Sequence, residues 1–282
     1  MVNIVFFGSS EYSIIILKKL LEIPDFKVSA VVSKIDKPVG RRQEIIPNPV
    51  VTFSRQNNLQ LIQVEEFTPK VKLEIENLKP DLGLCVAFGP PYFDQKIIDI
   101  PKYKIINIHP SPLPKYRGAT PGPWQIINGE TKSSVTFFQI DVLPDHGPII
   151  TQIPFDISPT ENSTSFYQKA FLLATQNLES ILKSYILNLP AGRQVLQAQD
   201  HSQKSYFPKF TKESAQINWS WDQDKIDRFI RALNPWPIAW TYVTDQQGKT
   251  LKMKMLTPTL VQIEGKKPTN WSEISKYYTI QK

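Results

Sequence analysis

The chain has 282 residues, of which 41% are hydrophobic and 21% are charged, and its formal net charge is +7. This is the composition of a globular protein, and it excludes a disordered chain, a collagen-like repeat and a coiled coil. The single cysteine, Cys85, excludes an intramolecular disulfide framework and a multi-cysteine zinc site.

The excess of positive charge lies mostly in the C-terminal part. Residues 200–282 hold 13 Lys and Arg against 8 Asp and Glu, whereas residues 1–199 hold 20 against 18. Such a basic region suits a polyanionic partner such as RNA, because binding releases counterions from the phosphates. A basic surface that only confers solubility is the alternative.

The N-terminal sequence predicts a protein that stays in the cytoplasm. Residues 1–8 lack the basic region and the longer apolar core of a signal peptide. No apolar run approaches the roughly 18 residues that a membrane helix needs. We therefore expect a soluble, cytoplasmic protein that has no membrane partner and is a monomer.

The first third of the chain alternates short apolar runs with amphipathic stretches, which is typical of a parallel sheet flanked by helices. Further apolar runs follow, and the predicted strands are residues 3–7, 28–32, 59–63, 82–87, 104–109, 135–140 and 148–153. The turn at residues 8–10 starts a helix, and the apolar spacing of residues 163–186 predicts a long one. The fold class is therefore α/β.

The character of the sequence changes after residue 187. Residues 188–192 end the long helix, a polar segment follows, and residues 225–233 predict a short basic helix. Short β-like runs then occupy residues 239–243, 251–256 and 260–263. We predict a catalytic domain over residues 1–190, a linker over 191–205 and a small β-rich domain over 206–282.

The densest polar cluster follows the predicted strand over residues 104–109. Asn107 and His109 are two residues apart, so their side chains project from the same face of that strand. Pro110 keeps the backbone of His109 extended. At the carboxyl edge of an α/β sheet, an amide and an imidazole suit acyl-type transfer, because one stabilises an oxyanion and the other moves a proton.

Two further loops carry charged side chains. Asp141 and Asp145 lie in a Pro- and Gly-containing turn after a strand, where a carboxylate can orient His109 and favour its protonated form. Ordinary turn chemistry explains these aspartates equally well. Residues 34–43 combine a glycine with several cations, which suits phosphate binding, although a solvated loop is the simpler interpretation.

Several site classes are not supported by the sequence. The turn at Gly8 lacks the G-x-G-x-x-G pattern of dinucleotide binding, and Glu11 would repel a pyrophosphate. No P-loop lysine motif occurs, and the three histidines are too scattered for a zinc site. We therefore expect no metal.

The spacing Asn107-x-His109-Pro110-Ser111 to Arg117-Gly118, followed by Asp145-x-Gly147-Pro148, resembles the signature of the folate-dependent formyltransferases. Within that family the similarity is to the branch that formylates methionine on initiator tRNA. Residues 5–13, 36–41 with 47–50, and 230–241 carry this narrower similarity. The resemblance implies a Rossmann-like formyltransferase domain with a mostly parallel sheet, followed by a small OB-like β domain that helps to hold the tRNA.

The resemblance also implies an activity and a set of site residues. The expected reaction transfers the formyl group of 10-formyltetrahydrofolate to the α-amino group of methionyl-initiator tRNA, which gives N-formylmethionyl-tRNA for translation initiation. The implied catalytic residues are Asn107, His109 and Asp145. The residues implied to line the folate site are Val86, Phe88, Gly89, Ser111, Pro112, Leu113 and Pro114. The candidate tRNA-binding residues are Lys37, Arg41, Arg42 and Lys209.

Three departures from the family pattern matter. Gln43 and Glu44 stand where the family's loop has more lysines, so its net charge is lower. Phe88 and Pro90 replace a tyrosine and a glutamine, so their side-chain hydrogen bonds would be lost. Residues 241–264 have room for about three short strands, fewer than a five-stranded OB barrel requires, so we expect an abbreviated barrel.

Other functions remain open at this point. Sugar-nucleotide N-formyltransferases and glycinamide ribonucleotide formyltransferase share the Asn-x-His and Asp-x-Gly elements, but a small acceptor needs neither the Arg41 loop nor a basic, Trp-rich end. A hydrolase that releases formate would use water in place of the amine. A non-catalytic RNA-binding module has no need of the three catalytic residues.

Overall fold

The structure is a computed structural model that describes residues 1–39, 43–189 and 196–281. The chain divides into two compact units. The first unit contains residues 1–117, 134–154 and 168–205, and the second contains residues 118–133, 155–167 and 206–282. Packing groups residues 118–133 and 155–167 with the C-terminal part. The predicted domain boundaries at residues 190 and 205 stay a prediction.

The strands and helices follow one another along the described chain. The strands are β1 (Val2–Gly8), β2 (Phe26–Lys34), β3 (Lys37–Val39), β4 (Glu44–Ile46), β5 (Leu61–Val64), β6 (Leu82–Val86), β7 (Ile105–His109), β8 (Arg117–Gly118), β9 (Lys132–Gln139), β10 (Ile149–Asp156), β11 (Tyr206–Phe207), β12 (Trp240–Asp245), β13 (Thr250–Met255), β14 (Leu260–Ile263), β15 (Thr269–Asn270) and β16 (Tyr278–Ile280). The α-helices are α1 (Glu11–Leu21), α2 (Pro49–Gln56), α3 (Pro69–Asn77), α4 (Gln95–Asp99), α5 (Pro121–Ile127), α6 (Ser163–Asn188), α7 (Gln223–Ala232) and α8 (Trp271–Ile274).

The main sheet has seven strands in the order β10-β9-β7-β6-β1-β2-β5. Strands β5, β2, β1, β6 and β7 run parallel, and β9 is antiparallel to β7. The parallel strands are continuous apolar runs because both faces of the sheet are covered, and Ile4, Val5, Phe6 and Phe7 of β1 have no exposed surface. This confirms the predicted α/β class with a mostly parallel sheet.

Helix α1 begins where the sequence predicts. The Ser10 side chain accepts a hydrogen bond from the Ser13 backbone N–H, and the Ser13 side chain accepts one from the Ser10 N–H. This capping box satisfies two backbone donors at the start of the helix. Ile16, Leu17 and Leu20 of this helix are buried. The turn after β1 therefore leads directly into a packed helix.

The second unit contains a five-stranded antiparallel sheet in the order β15-β14-β13-β12-β16. The three strands expected between residues 241 and 264 are β12, β13 and β14. Two further strands, β15 and β16, complete the sheet; they are only two and three residues long, too short to give a periodic signal. Ile226, Phe229 and Ile230 of α7 are buried in the core of this unit.

No helix in the described ranges is both long enough and apolar enough to span a membrane.

Candidate active site

Strand β7 ends with the two residues that the sequence singled out. Asn107 lies in register with Cys85 of β6 and Phe138 of β9, and His109 lies opposite Thr136 of β9. Because side chains alternate along a strand, Asn107 and His109 are on the same face at the carboxyl edge of the parallel strands. This is the edge at which open α/β sheets bind ligands.

His109 is held from both ring nitrogens. Its side chain is buried, its Nε2 lies 3.0 Å from the carbonyl oxygen of Tyr116, and its Nδ1 lies 3.6 Å from Oδ1 of Asp145. A carbonyl oxygen only accepts hydrogen bonds, so Nε2 carries a hydrogen. Nδ1 is therefore the ring atom that faces the Asp145 carboxylate.

The side chain of Asn107 has unused hydrogen-bonding capacity. Its Oδ1 is buried and has no hydrogen-bond partner among the described residues. A buried polar atom without a partner is costly in a folded protein. Since Asn107 faces the same edge as His109, a bound substrate is the natural source of the missing partner.

The proline-rich loop after β7 fixes the carbonyl that holds His109. Ser111 Oγ donates to the Lys115 carbonyl at 2.9 Å, and Thr136 Oγ1 donates to the Ser111 carbonyl at 2.6 Å. Gln152 Nε2 donates to the Leu113 carbonyl at 2.8 Å. These contacts tie the loop to β9 and β10, so the Tyr116 carbonyl has a fixed direction.

Asp145 lies in a constrained turn between β9 and β10. Its φ is +52°, in the left-handed region that side chains seldom adopt. Two residues later, a Cβ on Gly147 would lie 1.9 Å from the Gln139 carbonyl oxygen, so only glycine fits there. The turn thus presents the Asp145 carboxylate to His109 at the cost of an unusual backbone.

The turn after β6 exposes backbone rather than side chains. Ala87 and Gly89 have φ values of +45° and +68°. Ser9 Oγ lies 3.1 and 3.0 Å from the carbonyl oxygens of Ala87 and Phe88. The Phe88 ring is buried among other phenylalanine rings, namely Phe7, Phe67 and Phe93.

The predicted folate-site residues differ in how exposed they are. Val86, Phe88, Ser111 and Leu113 are buried, with at most 3% of each residue exposed. Gly89 is exposed, and Pro112 and Pro114 are half-buried. Their role in folate binding stays a prediction.

The candidate tRNA-binding residues lie in three places. Arg41 and Arg42 lie outside the described residues. Lys37 is exposed in β3, which pairs antiparallel with β4. Lys209, in the second unit, is exposed, and its Nζ lies 5.7 Å from the centre of the Trp236 ring. Their contact with tRNA stays a prediction.

Sequence reasoning missed two groups that support the site. The first is the Tyr116 carbonyl, a backbone atom that leaves no trace in the residue pattern. The second is Gln199, whose Nε2 donates to the carbonyls of Asp145 and Gly147. Gln199 lies in a segment that is polar throughout, so nothing in the sequence distinguished it from its neighbours.

No group of three or more His, Cys, Asp or Glu side chains within residues 1–39, 43–189 and 196–281 is arranged to hold a metal ion.

Comparisons with known proteins identify the family of this chain. A family model described as formyl transferase matches residues 2–182, and one described as formyl transferase, C-terminal domain, matches residues 209–259. The chain is 35% identical to the methionyl-tRNA formyltransferase of Geobacter sulfurreducens over 252 residues, which cover 89% of this chain and 77% of that protein. It is 34% identical to that of Enterococcus faecalis over 259 residues, 92% of this chain and 80% of that protein.

Solved structures show the same fold. A methionyl-tRNA formyltransferase from Clostridium thermocellum superposes with a TM-score of 0.57 at 16% identity and covers all of both chains. The sugar 3N-formyl transferase WlaRD superposes with a TM-score of 0.59 at 22% identity, covering 82% of this chain and 78% of that one. On the family models and the curated relatives together, this chain belongs to the formyl transferase family.

Proposed function

We propose that this chain transfers the formyl group of 10-formyltetrahydrofolate to the α-amino group of methionine on initiator tRNA, producing N-formylmethionyl-tRNA. The observation that carries the proposal is the fixed His109 ring, held between the Tyr116 carbonyl and Asp145 on the strand face that also carries Asn107, whose buried Oδ1 has no partner among the described residues. Relatives that are about a third identical along most of the chain are methionyl-tRNA formyltransferases, which supports the choice of acceptor.

The folate donor supplies a formyl carbon already activated by its bond to N10. We place its binding at the exposed turn residues Ala87 and Gly89 and at the half-buried Pro112 and Pro114 of the loop after β7. The site fits such a group, because Asn107 Oδ1 is buried there and lacks a hydrogen-bond partner among the described residues.

The side chains at the site divide the work of the transfer. Asn107 Nδ2 and a protonated His109 Nδ1 donate hydrogen bonds to the formyl oxygen as it gains negative charge. Asp145, with Oδ1 3.6 Å from that nitrogen, stabilises the protonated ring. The attacking amine gives up one proton and the leaving nitrogen takes one up, and Asp145 Oδ1 is the protein group we assign to carry it between them.

The acceptor explains the charge of the C-terminal part. Residues 200–282 carry a net charge of +5, from 13 Lys and Arg against 8 Asp and Glu. Lys209 lies over Trp236, whose side chain is 49% exposed. A cation beside an accessible aromatic ring can meet both a phosphate and a nucleotide base. A small-molecule acceptor gives no reason for this surface.

The deciding experiment measures formyl transfer from 10-formyltetrahydrofolate to methionine-charged initiator tRNA. We expect wild-type activity and a loss of about 10²-fold or more in His109→Ala and Asn107→Ala. Asn77→Ala, at the exposed end of α3, is the matched amide control and should keep full activity. Donor binding without transfer to the tRNA would refute the acceptor, and amino-sugar nucleotides would then be tested.

A further inference from the structure

The backbone of the Asp145 turn is held by a side chain from a distant segment. The carbonyl oxygens of Asp145 and Gly147 both accept hydrogen bonds from Nε2 of Gln199, at 3.1 and 2.7 Å. One amide nitrogen has two hydrogens, so both are used on this turn. The left-handed φ of Asp145 is unfavourable for a residue with a side chain, and such a backbone persists only where its surroundings impose it.

The orientation of the Gln199 carboxamide follows from its partners. Its Oε1 lies 2.5 Å from Nη2 of Arg117, and a guanidinium can only donate. The two turn carbonyls can only accept, so Nε2 must face the turn and Oε1 must face Arg117. Gln199 is only 5% exposed and Arg117 only 6%. The carboxamide thus has a single orientation with every partner satisfied.

Arg117 is fixed in turn. Its Nη2 also lies 2.9 Å from Nδ1 of His201, so both hydrogens of that nitrogen have acceptors. Burial lowers the pKa of the Arg117 guanidinium, and the charge of Asp145 acts in the opposite direction. The position of the Arg117 guanidinium is fixed by its two acceptors, Gln199 Oε1 and His201 Nδ1.

The segment that carries Gln199 is docked beside the same turn. Gln197 and Ile149 exchange two backbone hydrogen bonds of 2.8 Å, as an antiparallel bridge. Ile149 is the first residue of β10, two residues after Gly147. This bridge places Gln199 within reach of the turn, so the described part of the predicted linker also supports the catalytic edge.

We propose that Gln199 is a positioning residue for formyl transfer: through the carbonyls of Asp145 and Gly147 it keeps the Asp145 carboxylate directed at His109. It touches no substrate and acts only through the backbone of the turn. The inference rests on the formyl transfer proposed above, but not on the identity of the acceptor.

Two substitutions test this role. Gln199→Glu keeps an acceptor for Arg117 but cannot donate to the two carbonyls, and Gln199→Met removes all three contacts at similar volume. We expect kcat to fall about 10- to 100-fold, because small misplacements of a catalytic group are costly, with the KM values of both substrates changing little. Gln197→Glu, an exposed glutamine two residues away, is the matched control and should retain its kcat.

A double-mutant cycle separates positioning from a merely structural role. In an Asp145→Asn background, Gln199→Glu should have no further effect on kcat, because the carboxylate it directs is gone. A double variant that loses the product of the two single effects would overturn the proposal. So would a Gln199→Glu variant with kcat within about twofold of wild type.

Hydrogen exchange gives a readout that needs no acceptor. In Gln199→Met, backbone amides of residues 141–149 should exchange about tenfold faster than in wild type, while residues 61–86 are unchanged. Unchanged exchange over 141–149 would refute the proposal even if the wild type were inactive on methionyl-tRNA. Inactivity of the wild type with the expected exchange pattern would refute only the choice of acceptor.

Discussion

Nε2 of His109 donates a hydrogen bond to the carbonyl oxygen of Tyr116 at 3.0 Å, which leaves Nδ1 as the ring atom that faces Asp145. The tautomer therefore follows from a backbone contact and not from the aspartate. In the mechanism proposed above, Asp145 acts on the ring only through its charge, from 3.6 Å away. The group that orients the ring is thus distinct from the carboxylate that lies beside Nδ1.

Asp145→Asn should lower kcat by about 10²–10⁴-fold. An amide has no negative charge to stabilise a proton on Nδ1 and would instead donate its own hydrogen to that nitrogen. The fold should persist, because asparagine tolerates the left-handed φ of +52° better than most residues. Steady-state kinetics and a circular dichroism spectrum test both expectations.

Asp141→Asn is the matched control for that substitution. Asp141 is the other carboxylate of the same loop, and its Oδ2 lies 2.5 Å from Nδ1 of His146 rather than near His109. It should keep most of the wild-type kcat. Equal losses in the two variants would mean that the loop needs negative charge in general, which contradicts the specific role of Asp145.

Gly147→Ala should destabilise the protein by about 3 kcal/mol, the upper end of the cost of overpacking a fitted site. The added Cβ would lie 1.9 Å from the Gln139 carbonyl oxygen, and a backbone atom of a paired strand cannot move aside. The 145–148 turn would be displaced, so kcat should fall as well. Urea denaturation followed by far-ultraviolet circular dichroism measures the change.

Gly248→Ala distinguishes a steric cause from a conformational one. Gly248 has a φ of +81° but no atom within 4 Å of its would-be Cβ. Its substitution should cost about 1–2 kcal/mol from backbone strain alone and leave kcat unchanged. If Gly147→Ala were no worse than Gly248→Ala, the close contact with Gln139 would not be limiting.

The residue pattern predicts the parts of this site that lie on single strands. Asn107 and His109 share a face because the period of a strand is two, and buried parallel strands are visible as apolar runs. Asp145 follows β9, which runs antiparallel to β7 and ends opposite Ile106, so its position beside His109 comes from the path of the loop after that strand. The Tyr116 carbonyl and Gln199 could not be predicted, because a backbone atom has no side-chain signature and Gln199 meets its turn only through the path of the folded chain.

The short strands β15 and β16 escaped prediction for a related reason. Two or three residues contain no period, and their position depends on pairing with β14 and β12. Three strands of this sheet are therefore predictable from local sequence, and the remaining two depend on tertiary pairing.

Lowering the pH should protonate His201, and its Nδ1 then no longer accepts the hydrogen bond from Arg117. Loss of hydration lowers the pKa of His201, and the neighbouring charges of Arg117 and Lys204 lower it further. The folded protein thus binds this proton less readily than the unfolded chain. The contribution of His201 to the free energy of unfolding is fully present above the ordinary histidine pKa of 6.5. It declines as the pH falls below that value toward the lower pKa of His201 in the folded protein.

His201→Asn tests this dependence, because asparagine keeps an oxygen acceptor for Arg117 but does not titrate. The groups that face the imidazole are Arg117, Asp141, His146 and Lys204, besides the adjoining Asp200. Between about pH 8 and pH 5, the unfolding midpoint of the wild type should fall more steeply than that of the variant. Parallel curves would show that His201 does not couple to folding.

Arg41→Ala should weaken tRNA binding in a salt-dependent way. Arg41 lies outside the described residues; the strands described on either side of it along the chain, β3 and β4, pair antiparallel after the carboxyl end of β2. The base of this strand pair is tied down by Asn48, whose Nδ2 donates to the Lys34 carbonyl at 3.2 Å. One lost phosphate contact should make the slope of log K against log salt shallower by about 1.

The measurement is the KM for methionyl-tRNA at several salt concentrations, with folate affinity measured in parallel. Arg41→Ala should raise the KM for tRNA and leave folate affinity unchanged, because its proposed contact is with the acceptor alone. Lys27→Ala removes one positive charge near the amino end of β2, at the opposite edge of the sheet from Asn107 and His109, and should match the wild-type slope. An Arg41→Ala slope equal to that of Lys27→Ala would mean that this loop makes no phosphate contact, and the search for the acceptor surface would move to Lys209 and Trp236.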